Sequence, residues 1–195
     1  MAGQGHQPAS DESLRSHLRA ATLAAHDLLD RAMQAASGWR TREDYARFLE
    51  LQHAARAPLE DWIDAHAPED LRPPRQTRLI AHDLAALGKA PPAPAHLFSL
   101  GEAGTGHALG VAWVLAGSAL GNRSIARQVR RIGGGAWPMV FLGDAAMLGF
   151  WQALRARIEQ PTPPGEAEGA TDAAIAVFAH FLAVAEQAEA PETAL

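Results

Sequence analysis

The sequence contains no cysteine. Disulfides, thiolate nucleophiles, zinc–thiolate sites and iron–sulfur clusters are therefore excluded. It also lacks a long basic run, and its 195 residues carry a formal net charge of -5. Binding of DNA or RNA as a main task is thus not expected, because nucleic-acid binding needs a concentrated positive surface.

Long apolar segments are scarce as well. The longest apolar stretch, Ala108 to Leu120, is interrupted by glycine and is too short to span a bilayer. Met1 to Ser10 has no apolar segment of the signal-peptide kind, so we expect a cytoplasmic protein. We expect a disordered tail over 1–10, one helical domain over 11–189 and a second tail over 190–195.

The composition favours helices. Hydrophobic residues make up 48% and charged residues 20%, which is ordinary for a globular protein. Alanine, the best helix former, is abundant, and neither a βαβ alternation nor an internal repeat is present. We predict an all-α, single-domain bundle of six or seven helices. The first predicted helix runs from Ser10 or Asp11 to Gly38, and the second begins at Thr41, with Pro58 kinking or dividing it. The third runs from about Arg75 to Leu87, with Gly88 as its C′ residue, and the fourth from about Leu100 to Ile132, where Gly133–Gly135 end it. The last two run from about Asp144 to Ile158 and onward from Thr171 and Asp172.

The first candidate site is a stripe on the first helix. Arg15, Arg19, Thr22 and His26 follow one another at steps of four, three and four, so they share one face. A neutral imidazole is a good iron ligand, and two arginines can pair with the carboxylates of a flat ligand. A lone helical histidine is more often a surface or hydrogen-bonded core residue, however, so both interpretations stay open at this point.

The second candidate site is the pair Gly117 and Gly121. Glycine inside a helix costs about 1 kcal/mol relative to alanine, and a spacing of four bares the backbone on one face. Close helix–helix packing through small residues explains such a pair, and so does a ligand that lies directly on the backbone. The spacing alone does not decide between them.

The two motifs together resemble those of heme oxygenases. Leu18 to Leu29 reads LRAATLAAHDLL, which resembles the proximal helix, where a threonine precedes the iron-binding histidine by four residues and a lysine or arginine precedes it by seven. Trp113 to Asn122 reads WVLAGSALGN and resembles the distal helix of bacterial members. The likeness extends from about Leu14 to Ile158 and is greatest to the type often paired with bacteriophytochromes, which use biliverdin as chromophore.

The resemblance implies an enzyme that cleaves heme, its cofactor and its substrate, to biliverdin, iron and carbon monoxide. O₂ and electrons from a ferredoxin or a flavin reductase are the implied co-reactants, and a bacteriophytochrome is a possible acceptor of biliverdin. Carried onto this sequence, the family pattern makes His26 the iron ligand through Nε2. The implied heme-binding residues are Arg19, Thr22, Trp113, Gly117 and Gly121, and the implied catalytic wall is Gly117, Ser118 and Gly121.

Three positions depart from the family pattern. Trp113 replaces a common tyrosine, Ala116 a common glutamate, and Asn122 a small residue. These departures motivate the alternative of a heme- or biliverdin-binding and delivery protein with little turnover.

Two further alternatives come from other classes of protein. A helical thiamin-salvage enzyme shares the architecture but usually needs a cysteine nucleophile, and a heme-free interaction module predicts no effect of replacing His26. The other histidines form no HExxH or His-x-x-x-His pair and are expected at the surface or at helix caps; they are His17, His53, His66, His82, His96, His107 and His180.

Overall fold

The chain forms a bundle of six α-helices in a computed structural model that describes residues 13–101, 103–160 and 162–189. Among those residues there is one short 3-10 turn, Glu69–Leu71, and no strand, which confirms the all-helical prediction. The predicted tails, 1–10 and 190–195, lie outside the described residues. The helices are α1 (Leu14–Ala36), α2 (Arg42–His66), α3 (Thr77–Ala86), α4 (Thr105–Ile132), α5 (Ala145–Ile158) and α6 (Pro164–Glu189).

Helix α6 is the central support of the bundle. It packs along both α1 and α4, whereas α1 and α4 hardly contact each other. Its buried side is rich in alanine, which lets neighbouring helices approach closely. Helix α6 is also long and apolar enough to cross a membrane by length and composition, but a core helix satisfies the same criterion.

The closest approach in the bundle is between α4 and α6. A Cβ atom at Gly106 would overlap the carbonyl oxygen of Glu166, and one at Gly110 would overlap that of Ala170. Only hydrogen fits at these two positions, so the N-terminal halves of the two helices are in contact through their backbones.

Several helix ends confirm the predicted signals. Thr41 and Asp44 form a reciprocal capping box at the start of α2. Gly38 follows the end of α1 with φ 65°, and Gly88 follows α3 with φ 77°, the left-handed conformation that favours glycine. Asp144 caps α5 by accepting the amides of residues 146 and 147.

Two predicted starts in the N-terminal two-thirds of the chain were too early. Helix α1 begins at Leu14, because Ser13 is the cap and its hydroxyl accepts the Ser16 amide. Helix α4 begins at Thr105 rather than at Leu100. The amide of Gly104 donates to His107 Nδ1 at 3.2 Å, and this side-chain bond fixes the start of the helix.

Pro58 does not divide α2, which is continuous from Arg42 to His66. A proline cannot donate to the carbonyl four residues earlier, which here belongs to Ala54. That carbonyl instead accepts the Ala95 amide at 3.0 Å, and the neighbouring Ala55 carbonyl lies 3.0 Å from His180 Nε2. Partners from other segments therefore satisfy the carbonyls around the proline, and the helix continues.

Helix α6 starts at Pro164, well before the predicted Thr171 and Asp172. Proline suits the first helical position because its missing N–H would have no partner there. The extra turns also carry Glu166 and Ala170, the two residues that contact the glycines of α4. Tertiary packing thus extends the helix through Pro164 and Gly165, which favour a loop when the sequence is considered alone.

The glycine contact makes a paired prediction. Gly110→Ala should lower the free energy of unfolding by about 2–3 kcal/mol, because α4 and α6 must move apart. Gly121→Ala should raise it by up to about 1 kcal/mol, since no atom lies within 4 Å of the added methyl group. Urea unfolding followed by circular dichroism measures both changes. Equal effects of the two variants would contradict the packing described here.

A second prediction concerns acid stability. Burial lowers the pKa of His180, with His96 adding to the effect and the Ala55 carbonyl opposing it, and burial also lowers the pKa of His53. The unfolded chain therefore binds protons at a higher pH than the folded one. The contribution of these two neutral histidines to the free energy of unfolding should be fully present above the ordinary histidine pKa of about 6.5. It should be lost as the pH falls below that value toward the lower pKa values of the folded protein.

Unfolding midpoints in urea between about pH 8 and about pH 5 measure this loss. His180→Gln should flatten the dependence on pH, whereas the same change at exposed His17 should leave it intact. An unchanged slope in His180→Gln would show that His180 does not cause it.

Candidate functional site

His26 lies at the surface of α1 with its side chain 58% exposed. Its ring meets the Phe178 ring of α6 edge-on at 5.9 Å between centroids. Asp30, one turn later, places Oδ2 at 3.3 Å from His26 Nδ1. A carboxylate at Nδ1 favours the tautomer that leaves Nε2 as a ligand atom, an arrangement common in metal sites.

The rest of the predicted stripe on α1 divides between surface and core. Arg19 is exposed and forms no ion pair within the described residues, whereas Arg15 lies 3.7 Å from Glu159. Thr22 is buried, and its hydroxyl donates to the Leu18 carbonyl at 2.8 Å. Arg19 and His26 are therefore open to a ligand, while Thr22 supports the helix beneath them.

Gly117 and Gly121 differ from the other glycines of α4 in their neighbours. A Cβ atom at Gly117 would be 3.6 Å from the Trp151 ring, an ordinary contact, and one at Gly121 would meet nothing within 4 Å. Close helix packing therefore accounts for Gly106 and Gly110 but not for this pair. We name the surface formed by Gly117 and Gly121 the glycine face.

Trp113 lies one turn before Gly117, and its indole Nε1 is buried with no hydrogen-bond partner in the described structure. Ser118 donates its hydroxyl hydrogen to the Leu115 carbonyl at 2.7 Å and accepts from Arg56 Nη2 at 2.8 Å. In this arrangement both the hydroxyl hydrogen and a lone pair of Ser118 are engaged by groups of the protein. Ala116 and Asn122, the other two departures from the family pattern, are buried.

A cavity of about 460 Å³ joins the C-terminal ends of α1 and α4. Beside it, Trp39 in the loop after α1 donates from Nε1 to Gln128 Oε1 of α4 at 2.7 Å. Gln128 follows Gly121 by seven residues and so continues the glycine face along α4. The cavity is lined by Gln34, Ser37, Gly38, Trp39, Arg40, Asp44, Gln128, Arg131 and Ile132.

Exposed apolar side chains flank the two candidate residues. Leu23 precedes His26 by three residues and is 57% exposed, and Leu120 lies between the two glycines and is 49% exposed. Both are on the helices that carry the site.

Some residues at this site were missed from the sequence. Asp30 and Arg56 follow His26 and Gln52 by four residues, so helical spacing could have identified both. Trp151 and Phe178 come from α5 and α6, and no local pattern links them to α1 or α4.

The remaining histidines confirm part of the expectation for them. His107 caps α4 as predicted, but His180 is buried rather than at the surface or at a cap. Within residues 13–101, 103–160 and 162–189, no group of three or more His, Cys, Asp or Glu side chains could hold a metal ion.

No family model matches the chain, and no curated protein matches it. Among solved structures, the heme oxygenase of Neisseria meningitidis, studied with NO and CO bound, matches 94% of this chain and 98% of its own at 19% identity. The TM-score is 0.64. This likeness shows that the chain has the heme oxygenase fold.

Proposed function

We propose that this protein is a heme oxygenase, which converts heme to biliverdin, iron and carbon monoxide with O₂ and supplied electrons. The observation that carries the proposal is the glycine face of α4. At Gly121 no atom of another residue comes within 4 Å of the position of a Cβ, although glycine weakens the helix there. A ligand that lies on the backbone explains this cost.

Three further observations fit a heme in particular. His26 presents an imidazole beside the carboxylate of Asp30. Its helix, α1, packs on α6, as does the helix α4 that carries the glycine face. Trp113 holds an indole N–H that has no acceptor among the described residues, and an entering carboxylate could accept from it. Exposed Arg19 adds a cation two turns before His26.

In this proposal each residue has a separate task. His26 Nε2 would hold the iron, Asp30 would orient the imidazole, and Arg19 and the Trp113 N–H would receive the propionates. Gly117 and Gly121 would form a wall without side chains, so that a small molecule can lie close to the macrocycle. Heme, when bound, supplies the iron that activates O₂ and the porphyrin that is cleaved.

The finer assignments rest on the sequence motifs. We propose that the protein is cytoplasmic and belongs to the type that supplies biliverdin to a bacteriophytochrome. The support for this assignment is the likeness of Leu18–Leu29 and Trp113–Asn122 to that type.

Hemin titration tests the proposed ligand. The wild-type protein should give a saturable Soret band, and His26→Ala should lose it, whereas His17→Ala, which changes an exposed histidine of the same helix, should keep it. Asp30→Ala should weaken hemin binding by about tenfold or more, the usual effect of removing the carboxylate partner of a ligating histidine. A Soret band that survives in His26→Ala would overturn the assignment.

Turnover separates the enzyme from a heme carrier. Under air with a reductant, the Soret band of the wild-type complex should decay while biliverdin absorbance grows. Gly121→Val should bind hemin more weakly while the apoprotein keeps its stability, because the added side chain projects into open space. A stable complex that yields no biliverdin with any electron donor would favour the heme-delivery alternative.

A basic surface on α4 favours an acidic electron donor. Arg123, Arg127, Arg130 and Arg131 are all exposed and form no ion pair with another described residue. No aspartate or glutamate occurs between positions 103 and 143, although the whole chain is acidic. Since Arg131 also lines the cavity, a donor attracted here would dock beside the proposed heme.

The rate of electron delivery should therefore depend on salt. Biliverdin formation driven by an acidic ferredoxin should slow as ionic strength rises, whereas formation driven by ascorbate should change little. The double variant Arg127→Glu, Arg130→Glu should lose the ferredoxin-driven rate and keep the ascorbate-driven rate. Exposed Arg78 on α3 provides the control, Arg78→Glu, which should behave like wild type. Equal losses in both variants would contradict docking on α4.

A further inference from the structure

Arg56 is a buried cation, and no carboxylate of residues 13–101, 103–160 or 162–189 is in hydrogen-bond contact with it. It is 2% exposed, in the middle of α2. Its Nε donates to Gln52 Oε1 at 3.0 Å and its Nη2 donates to Ser118 Oγ at 2.8 Å. Its Nη1 is buried and has no hydrogen-bond partner in the part of the chain that the structure describes. Burial lowers the pKa of Arg56 to about 10, so the guanidinium still carries its charge at neutral pH.

The nearest acidic influence on Arg56 is Glu60, whose charge favours the protonated guanidinium. The Glu60 carboxylate is already engaged, because it accepts the Thr77 hydroxyl at 2.6 Å and the Gln76 amide at 2.7 Å. It also pairs with Arg75 at 3.3 Å. Part of the positive charge of Arg56 therefore remains available to other groups.

Arg56 lies among aromatic rings and contacts the residue that follows Gly117. Its guanidinium lies 5.3 Å from the Phe141 ring centroid and 5.8 Å from that of Phe181, so aromatic rings rather than water surround it. Its hydrogen bond ends on Ser118, which directly follows Gly117 and precedes Gly121 by three residues. A charge in a region of low dielectric constant acts over a longer distance than one in water.

We infer that Arg56, whose fixed positive charge lies next to Ser118, makes the glycine face a site that prefers small anions over neutral ligands. This inference rests on the proposed function, because the iron of bound heme provides the coordinating atom for such ligands. Arg56 touches neither the heme nor the ligand in this view, and it acts as a positioning residue for Ser118 and as a source of field.

Ligand affinities of the hemin-loaded protein test this inference. Azide, an anion, and imidazole, a neutral ligand above its own pKa, are titrated at about pH 8 and followed by the Soret shift. Arg56→Met should weaken azide binding by about tenfold, because the anion loses its attraction to one buried positive charge, and should change imidazole binding by less than about twofold. Arg56→Lys should restore most of the azide affinity.

Arg56→Gln is a second neutral variant, able to keep a hydrogen bond to Ser118, and it should resemble Arg56→Met in azide affinity. Thermal melts establish that each variant is folded. Unchanged azide binding in a folded neutral variant would overturn the inference, as would equal losses for azide and imidazole, which indicate a distorted pocket. A wild-type protein that binds no hemin would overturn the proposed function and this inference with it, and hemin binding is measured first.

Discussion

The backbone contact between α4 and α6 is the constraint on which the rest of the site depends. At Gly106 and Gly110 the backbones of the two helices are so close that a Cβ atom on either residue would overlap the backbone of α6. Further along α4 the neighbour of Gly117 is the ring of Trp151, and Gly121 has no neighbour. The first pair of glycines on α4 therefore brings α4 and α6 into contact, whereas the second pair makes no close helix contact and leaves α4 uncovered at Gly121.

Buried polar groups connect that surface to the remainder of the core. Asp83 is completely buried and accepts the amides of Val140 and Phe141, which fixes the segment after α4 against α3. Phe141 in turn lies against the guanidinium of Arg56, which donates to Ser118 on α4. Such groups cost free energy to bury, and their hydrogen bonds offset the cost only in one arrangement. Contacts with α2 and with the segment after α4 thus fix the position of the backbone around Ser118.

Local chemistry made much of the fold predictable from the sequence. The capping box of Thr41 and Asp44, the positive φ of Gly38 and Gly88, and the end of α4 at its three glycines all follow from signals within a few residues. The start of α6 was predicted wrongly because Pro164 and Gly165 suggest a loop until the partner helix is known. The expectation that Pro58 divides α2 was wrong for the same reason. The groups that bond to the carbonyls of Ala54 and Ala55 come from distant parts of the chain.

The candidate site was predictable only in its α1 and α4 residues. Spacing placed Arg19 with His26, and Gly117 with Gly121, on single helix faces, but it could not show which glycines contact a helix and which are open. That distinction depends on α5 and α6, whose positions no local pattern contains. The burial of Arg56 could not be predicted either, because an arginine in an amphipathic helix is usually solvated. Its burial results from the tertiary packing of Phe141 and Phe181 against the guanidinium.

A crystal structure of the hemin-loaded protein would test the central claim most directly, which is that the glycine face is open in order to receive heme. We expect the macrocycle between α1 and α4, with His26 Nε2 on the iron and the backbone of Gly117 and Gly121 against the opposite side. Hemin bound elsewhere, or held by another histidine while Gly121 stays exposed to solvent, would contradict the claim.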